Sequence, residues 1–91
     1  MAVSLLPPAR EDLRQIHDHL HFANPDAAVG TVGRILDAVD RLDSFPIVGR
    51  SGCLPGTREF TVAGLPYACI YRVEDDQIEV AAIVHTRHHW P

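Results

Sequence analysis

The spacing of apolar residues changes once along this chain, and that change constrains the fold more than any single motif does. Up to Leu42 the apolar side chains recur every three to four positions: Leu13, Ile16, Leu20 and Ala23, then Ala28, Val32, Ile35, Leu36, Val39 and Leu42. That is the repeat of a helix with one face buried. From Thr57 onward the repeat is two, which is the repeat of a strand with one face buried. Helix periodicity followed by strand periodicity predicts an α+β fold with its helices and strands segregated.

Prolines and turn formers divide the two halves into elements. Residues 3–6 form a short β-type run stopped by Pro7-Pro8, suited to an edge strand, and Pro8 can open a helix from its first turn. The first helix is expected from Ala9 to about Ala23, where Asn24-Pro25 ends it. A second begins at once, because Asn24 suits the N-cap, Pro25 the first helical position and Asp26 the positive end of the helix dipole. So short a connection makes the helices an antiparallel hairpin. Gly30 and Gly33 are poor helix formers and are expected to let the two backbones approach closely. Phe45-Pro46 closes the second helix, and residues 47–56, with Gly49, Gly52 and Pro55, read as an ordered surface loop. Strands follow at 57–63, 67–73 and 77–85, and their short connectors require antiparallel hairpins. The predicted order is β-α-α-β-β-β, with the helical hairpin packed on one face of a mainly antiparallel, twisted sheet.

Parity assigns the faces. Ile78, Val80, Ala82 and Val84 form one apolar face of the last strand, expected under the helices, which leaves Ala81 and Ile83 on the other. The middle strand is apolar on both sides, with Tyr67, Cys69, Tyr71 and Val73 against Ala68 and Ile70. In a chain of 91 residues nothing remains to cover the second face, so part of it is expected to be an interaction surface.

Composition narrows the function classes. With 46% hydrophobic and 22% charged residues the chain is globular in character, and its length suits one domain over residues 1–91. Its apolar runs fall far short of the roughly 20 residues needed to cross a bilayer, and the start lacks the pattern of a signal peptide. A cytoplasmic location is the expectation. Cys53 and Cys69 are too few for a disulfide framework and have no partnering His or Cys spacing. All 8 basic residues are Arg, against 12 acidic residues, for a net charge of −4. That balance disfavours a protein that works by gripping phosphate backbones, without excluding a local Arg cluster.

The polar groups of interest gather in the second half. Parity puts Arg58 with Phe60 and Val62, and His85 with Ile83 and Ala81. Should those faces coincide away from the helices, Arg58 and His85 would line one shallow concavity, with Arg87 just past the strand end. Guanidinium binds phosphate bidentately and imidazole titrates near neutrality, so such a group could cleave RNA without a metal. Against this, Arg58 beside Glu59 and Arg72 near Glu74 equally suit ordinary paired charges on strands. His17 and His21, four apart on the first helix, could clasp a metal but have no third ligand, so no metal or cofactor is assigned. Gly49-Arg50-Ser51-Gly52 lacks the Gly-Lys-Ser/Thr of a phosphate-binding loop.

Several strings of residues, in this order and spacing, resemble the RelE/ParE toxin superfamily of type II toxin–antitoxin systems across nearly the whole chain. They are Phe45-Pro46-Ile47-Val48-Gly49-Arg50, Gly56-Thr57-Arg58-Glu59, Pro66-Tyr67, Ile70-Tyr71-Arg72-Val73, Ile78-Glu79-Val80, Val84-His85-Thr86-Arg87 and Trp90-Pro91. The resemblance implies a toxin neutralised by a cognate antitoxin whose C-terminal segment folds over it. It also implies one of two targets. RelE-like members cleave messenger RNA on the ribosome; carried over, Arg58 and Arg87 would hold the phosphate, with His85 and Tyr71 in proton transfer or base stacking. ParE-like members inhibit DNA gyrase without catalysis; Arg58, Tyr67, Ile83, His85, Arg87 and Trp90 would then contact target or antitoxin. The lysines of many ribosome-dependent members have no counterpart here, which, with the acidic balance, favours the ParE-like reading. An inactive module that only titrates an antitoxin is the third alternative.

Overall fold

The computed structural model describes residues 2–52 and 54–87. Its elements are β1 (Ala2–Leu5), α1 (Pro7–Ala23), α2 (Pro25–Asp40) continued by a 3-10 turn (Arg41–Asp43), β2 (Arg50–Ser51), β3 (Arg58–Thr61), β4 (Tyr67–Glu74) and β5 (Gln77–His85). The strands form one sheet in the order β1-β5-β4-β3-β2. β1 runs parallel to β5 at one edge and every other pairing is antiparallel. The helices pack on one face, which is the α+β arrangement expected. β2, a two-residue strand inside what reads as a loop, is an addition that no periodicity could signal.

Local chemistry sets the start of α1 and the junction between the helices as expected, whereas α2 ends at Asp40 and its 3-10 extension at Asp43, ahead of the Phe45-Pro46 stop that the sequence suggests. Both prolines of Pro7-Pro8 sit in the first turn of α1, where a missing N–H costs nothing. Asn24 terminates α1 by donating its backbone N–H to the Leu20 carbonyl. Its side-chain oxygen then accepts from the N–H groups of Asp26 and Ala27 to start α2. One residue thus caps two helices and sets the hairpin. Gly30 and Gly33 do not serve close packing: a Cβ at either position would meet nothing within 4 Å. Both lie on the outer side of α2, so the expectation of backbone approach there fails.

The core is built from Ala9 and Leu13 of α1, Ile35, Val39 and Leu42 from α2 and its extension, and Val62, Tyr67, Cys69, Tyr71, Ile78, Val80 and Ile83 from the strands. Ile83 corrects the parity reading. The β4–β5 ladder shifts register between Ile70 and Tyr71, pairing Ile70 with Ala82 but Tyr71 with Val80. Ala81 is therefore an extra residue, a β-bulge, and the alternation inverts beyond it. The helix-side residues of β5 are Ile78, Val80, Ile83 and His85, whereas Ala82 and Val84 turn to the open face with Ala68 and Ile70. Asp12 of α1 fixes the bulged strand by accepting the Ile83 backbone N–H at 3.0 Å.

Candidate functional site

Tyr71 is wholly buried, and its hydroxyl accepts the backbone N–H of Gly49 at 2.9 Å. Arg58, directly opposite Tyr71 in the ladder, donates through Nη1 to the Gly49 carbonyl at 2.6 Å and reaches that of Ile47 at 3.4 Å. Gly49 lies so close to the sheet that a Cβ there would sit 2.8 Å from the Glu59 carbonyl oxygen and 2.8 Å from the Tyr71 hydroxyl. These three residues latch the chain between α2 and β2 onto the helix side of the sheet. Held this way, the segment displays apolar side chains that a loop would normally hide: Phe45, Ile47 and Val48 are 63%, 71% and 62% exposed.

Beside that segment two hollows meet at the β3 edge. On the helix side a groove of about 360 Å³ is lined mainly by Ala38, Arg41, Phe45, Val48, Phe60 and Val62. On the open side a second hollow of about 430 Å³ is lined by Val48, Arg50, Glu59, Phe60, Thr61, Ala68 and Thr86. Glu59 is 3% exposed there and takes two bonds from the Arg50 guanidinium, at 2.8 and 3.1 Å. A buried carboxylate needs such a partner, because the interior solvates charge poorly. Arg50 bonds Glu59, whereas the guanidinium of the neighbouring Arg58 donates to the Gly49 carbonyl. Arg72 likewise reaches Glu79 at 3.4 Å.

The remaining expected site residues lie elsewhere. Tyr67 and His85 pair across β4 and β5 with their rings edge to face, centroids 5.5 Å apart. They share a shallow hollow with Asp12, Gln15, Ile16, His19 and Ile83. The Arg87 backbone N–H donates to His85 Nδ1 at 3.1 Å. Arg58 and His85 do occupy the same face, but it is the helix side. They stand opposite Tyr71 and Tyr67, four residues apart along β4, or about 13 Å, with a strand's width on either side. The single concavity expected for Arg58 and His85 does not form, because the register sets them opposite different ends of the Tyr67–Tyr71 stretch of β4 and the Arg58 guanidinium turns to the Gly49 carbonyl. Trp90, His88, His89 and Cys53 fall outside the described residues. His17 and His21 stack with centroids 5.5 Å apart, and among the described residues no group of three or more His, Cys, Asp or Glu converges. Cys69 is sealed in the core, where desolvation pushes its thiol up to about 12. It is a packing residue without thiolate reactivity.

Phe45, Val48 and Arg41 escaped sequence reasoning as site residues. The available signal was the density of apolar residues in a segment rich in turn formers, since loops seldom carry Phe, Ile and Val together without a surface to cover.

The fold and the dispersed polar set define an α+β protein, a helical hairpin on one face of a five-stranded sheet, built around an apolar edge. The comparisons agree. A solved structure described as the chromosomal ParDE TA system from P. aeruginosa superposes with a TM-score of 0.86 at 27% identity, covering 93% of this chain and 95% of that one. Y4kP of Sinorhizobium fredii (strain NBRC 101917 / NGR234), whose name marks it as a candidate toxin, is 38% identical over 79 residues, 87% of this chain and 81% of its own length. The family model for the ParE toxin of the type II toxin–antitoxin system, parDE, matches residues 3–90, and the chain belongs to that family.

Proposed function

We propose that this ParE-family toxin acts by binding and not by catalysis, that its target is DNA gyrase, and that a cognate antitoxin neutralises it in the cytoplasm through a C-terminal segment folded over the toxin. The observation that carries the reading is the use made of Tyr71 and Arg58. The tyrosine hydroxyl and the guanidinium that an RNA-cleaving site would need are committed to the Gly49 latch, and His85 stands at the far end of the sheet. A general acid or base must lie within hydrogen-bond reach of the proton it moves, and a phosphate clamp must share that site. A net charge of −4 with no Lys also favours a protein target over a nucleic-acid backbone. The exposed apolar edge supplies what a binding mechanism requires.

The test is a pair of assays on the purified chain. Gyrase supercoiling is expected to fall, with accumulation of cleaved DNA, while messenger RNA on translating ribosomes stays intact. Ribosome-dependent RNA cleavage that disappears in Arg58→Ala or His85→Ala would replace this reading with the RNA-cleaving one.

A further inference from the structure

The register of β2 against β3 pairs Arg50 with Glu59 and Ser51 with Arg58. Continued by two residues, it would set Val48 opposite Thr61. The latch prevents this, because Tyr71 and Arg58 hold both backbone groups of Gly49 and lead the chain off the ladder. Val62 donates its N–H to the Tyr67 carbonyl, toward β4. Backbone groups of successive strand residues point to opposite sides, so the N–H and C=O of Thr61 point outward, past the end of β2. Among the described residues the edge of β3 is thus open at Thr61, and the displaced Val48 becomes a shared wall of the hollows on either face.

We infer that this edge accepts an extended segment of the partner as an added strand, its alternate side chains entering the two hollows. Resting on the antitoxin reading above, the inference identifies the place and chemistry of that contact. Successive side chains of a strand point to opposite faces. The hollow on the helix side is walled by Phe45, Phe60 and Val62 and takes an apolar side chain. The one on the open side presents Thr61, Thr86 and the Arg50–Glu59 ion pair and takes a polar side chain. Arg41 rims the first hollow, and Arg50 in the second keeps 66% of its side chain exposed while bonded to Glu59. In a chain of net charge −4 the exposed Arg41 at the apolar hollow and the hydrogen-bonding lining of the other select a segment that alternates apolar and polar residues, with an acidic residue within reach of Arg41.

The experiment uses the full chain and, as probe, the product of the reading frame adjacent to its gene. Thr61→Pro removes the outward donor; an outward-facing N–H makes proline tolerable at a sheet edge, so the variant is expected to fold. Its affinity, read by calorimetry, is expected to fall at least tenfold, as is that of Val48→Glu, a position 62% exposed in the parent chain. On binding, the Thr61 amide of the unmodified protein is expected to exchange at least tenfold more slowly. Tight binding with Thr61 exchange unchanged, or with both variants at full affinity, overturns the strand-addition site and leaves the toxin–antitoxin reading standing. Absence of any binding removes that reading, and this inference with it.

Discussion

Gly49 concentrates the most chemistry in the fewest atoms. Its N–H meets the Tyr71 hydroxyl, its carbonyl meets Arg58, and the missing Cβ lets the chain lie against the Glu59 backbone. Tyr71→Phe would leave a buried N–H without an acceptor, at about 1–3 kcal/mol. The expected result is a lower urea midpoint together with faster proteolysis after Phe45, because the segment loses its anchor. Gly49→Ala is expected to cost a similar amount, about 1–3 kcal/mol, since one of the clashing atoms belongs to backbone and cannot swing aside. Equal stability of both variants with the parent protein, measured by urea denaturation, would show that the latch does not hold the loop.

At the scale of elements, Asn24 governs the helical hairpin. Its amide oxygen serves two N–H groups of α2 while its own N–H closes α1. Asn24→Ala keeps the second of these and loses the first, for an expected loss of about 1 kcal/mol. In a domain of this size that corresponds to a melting temperature lower by roughly 4–8 °C. The bulge at Ala81 works at the same scale and in the opposite direction. It offers no composition signal, yet it rotates Ile83 and His85 into the helix interface and puts Ala82 and Val84 on the open face. Asp12 accepts the Ile83 N–H, which ties α1 to the bulged strand.

For the molecule as a whole, the single core shared by the helices and the sheet makes global stability sensitive to any buried titrating group. Cys69 is such a group. Burial raises its thiol from 9.0 to about 12, so the folded protein holds that proton more firmly than the unfolded chain. Stability from this source is complete below pH 9 and is lost progressively as pH rises through about 12. The urea midpoint of the parent protein is therefore expected to fall between pH 9 and 11 more steeply than that of Cys69→Ala, in which the group is absent. Parallel slopes would show that the thiol is not sealed in the folded state. Among the described residues no helix is long and apolar enough to cross a membrane. Among the described residues, the open face of the sheet and the β3 edge are surfaces without an element of the chain on them.

Periodicity, proline and cap chemistry are local properties, and they were enough to determine the two helices, the last strands with their antiparallel order, and the placement of the hairpin on one face. Most core positions of the helices followed for the same reason, Leu13, Ala28, Ile35, Val39 and Leu42 among them, whereas Ala23 and Leu36 of the expected stripe are exposed and the buried Ala9 was not in it. Which face each residue of β5 takes was not available locally, because one extra residue at Ala81 inverts the parity and only the pairing with β4 reveals it. The partners of Tyr71, Arg58 and Glu59 were equally hidden. Each lies on a strand with polar or aromatic neighbours that suit catalysis, ion pairing or packing alike, and contacts over 22, 9 and 9 residues of sequence decided among these. The tertiary structure commits the Tyr71 hydroxyl and the Arg58 guanidinium to the Gly49 backbone. It does so because the backbone of Gly49, brought against the sheet, needs those polar atoms as its own hydrogen-bond partners.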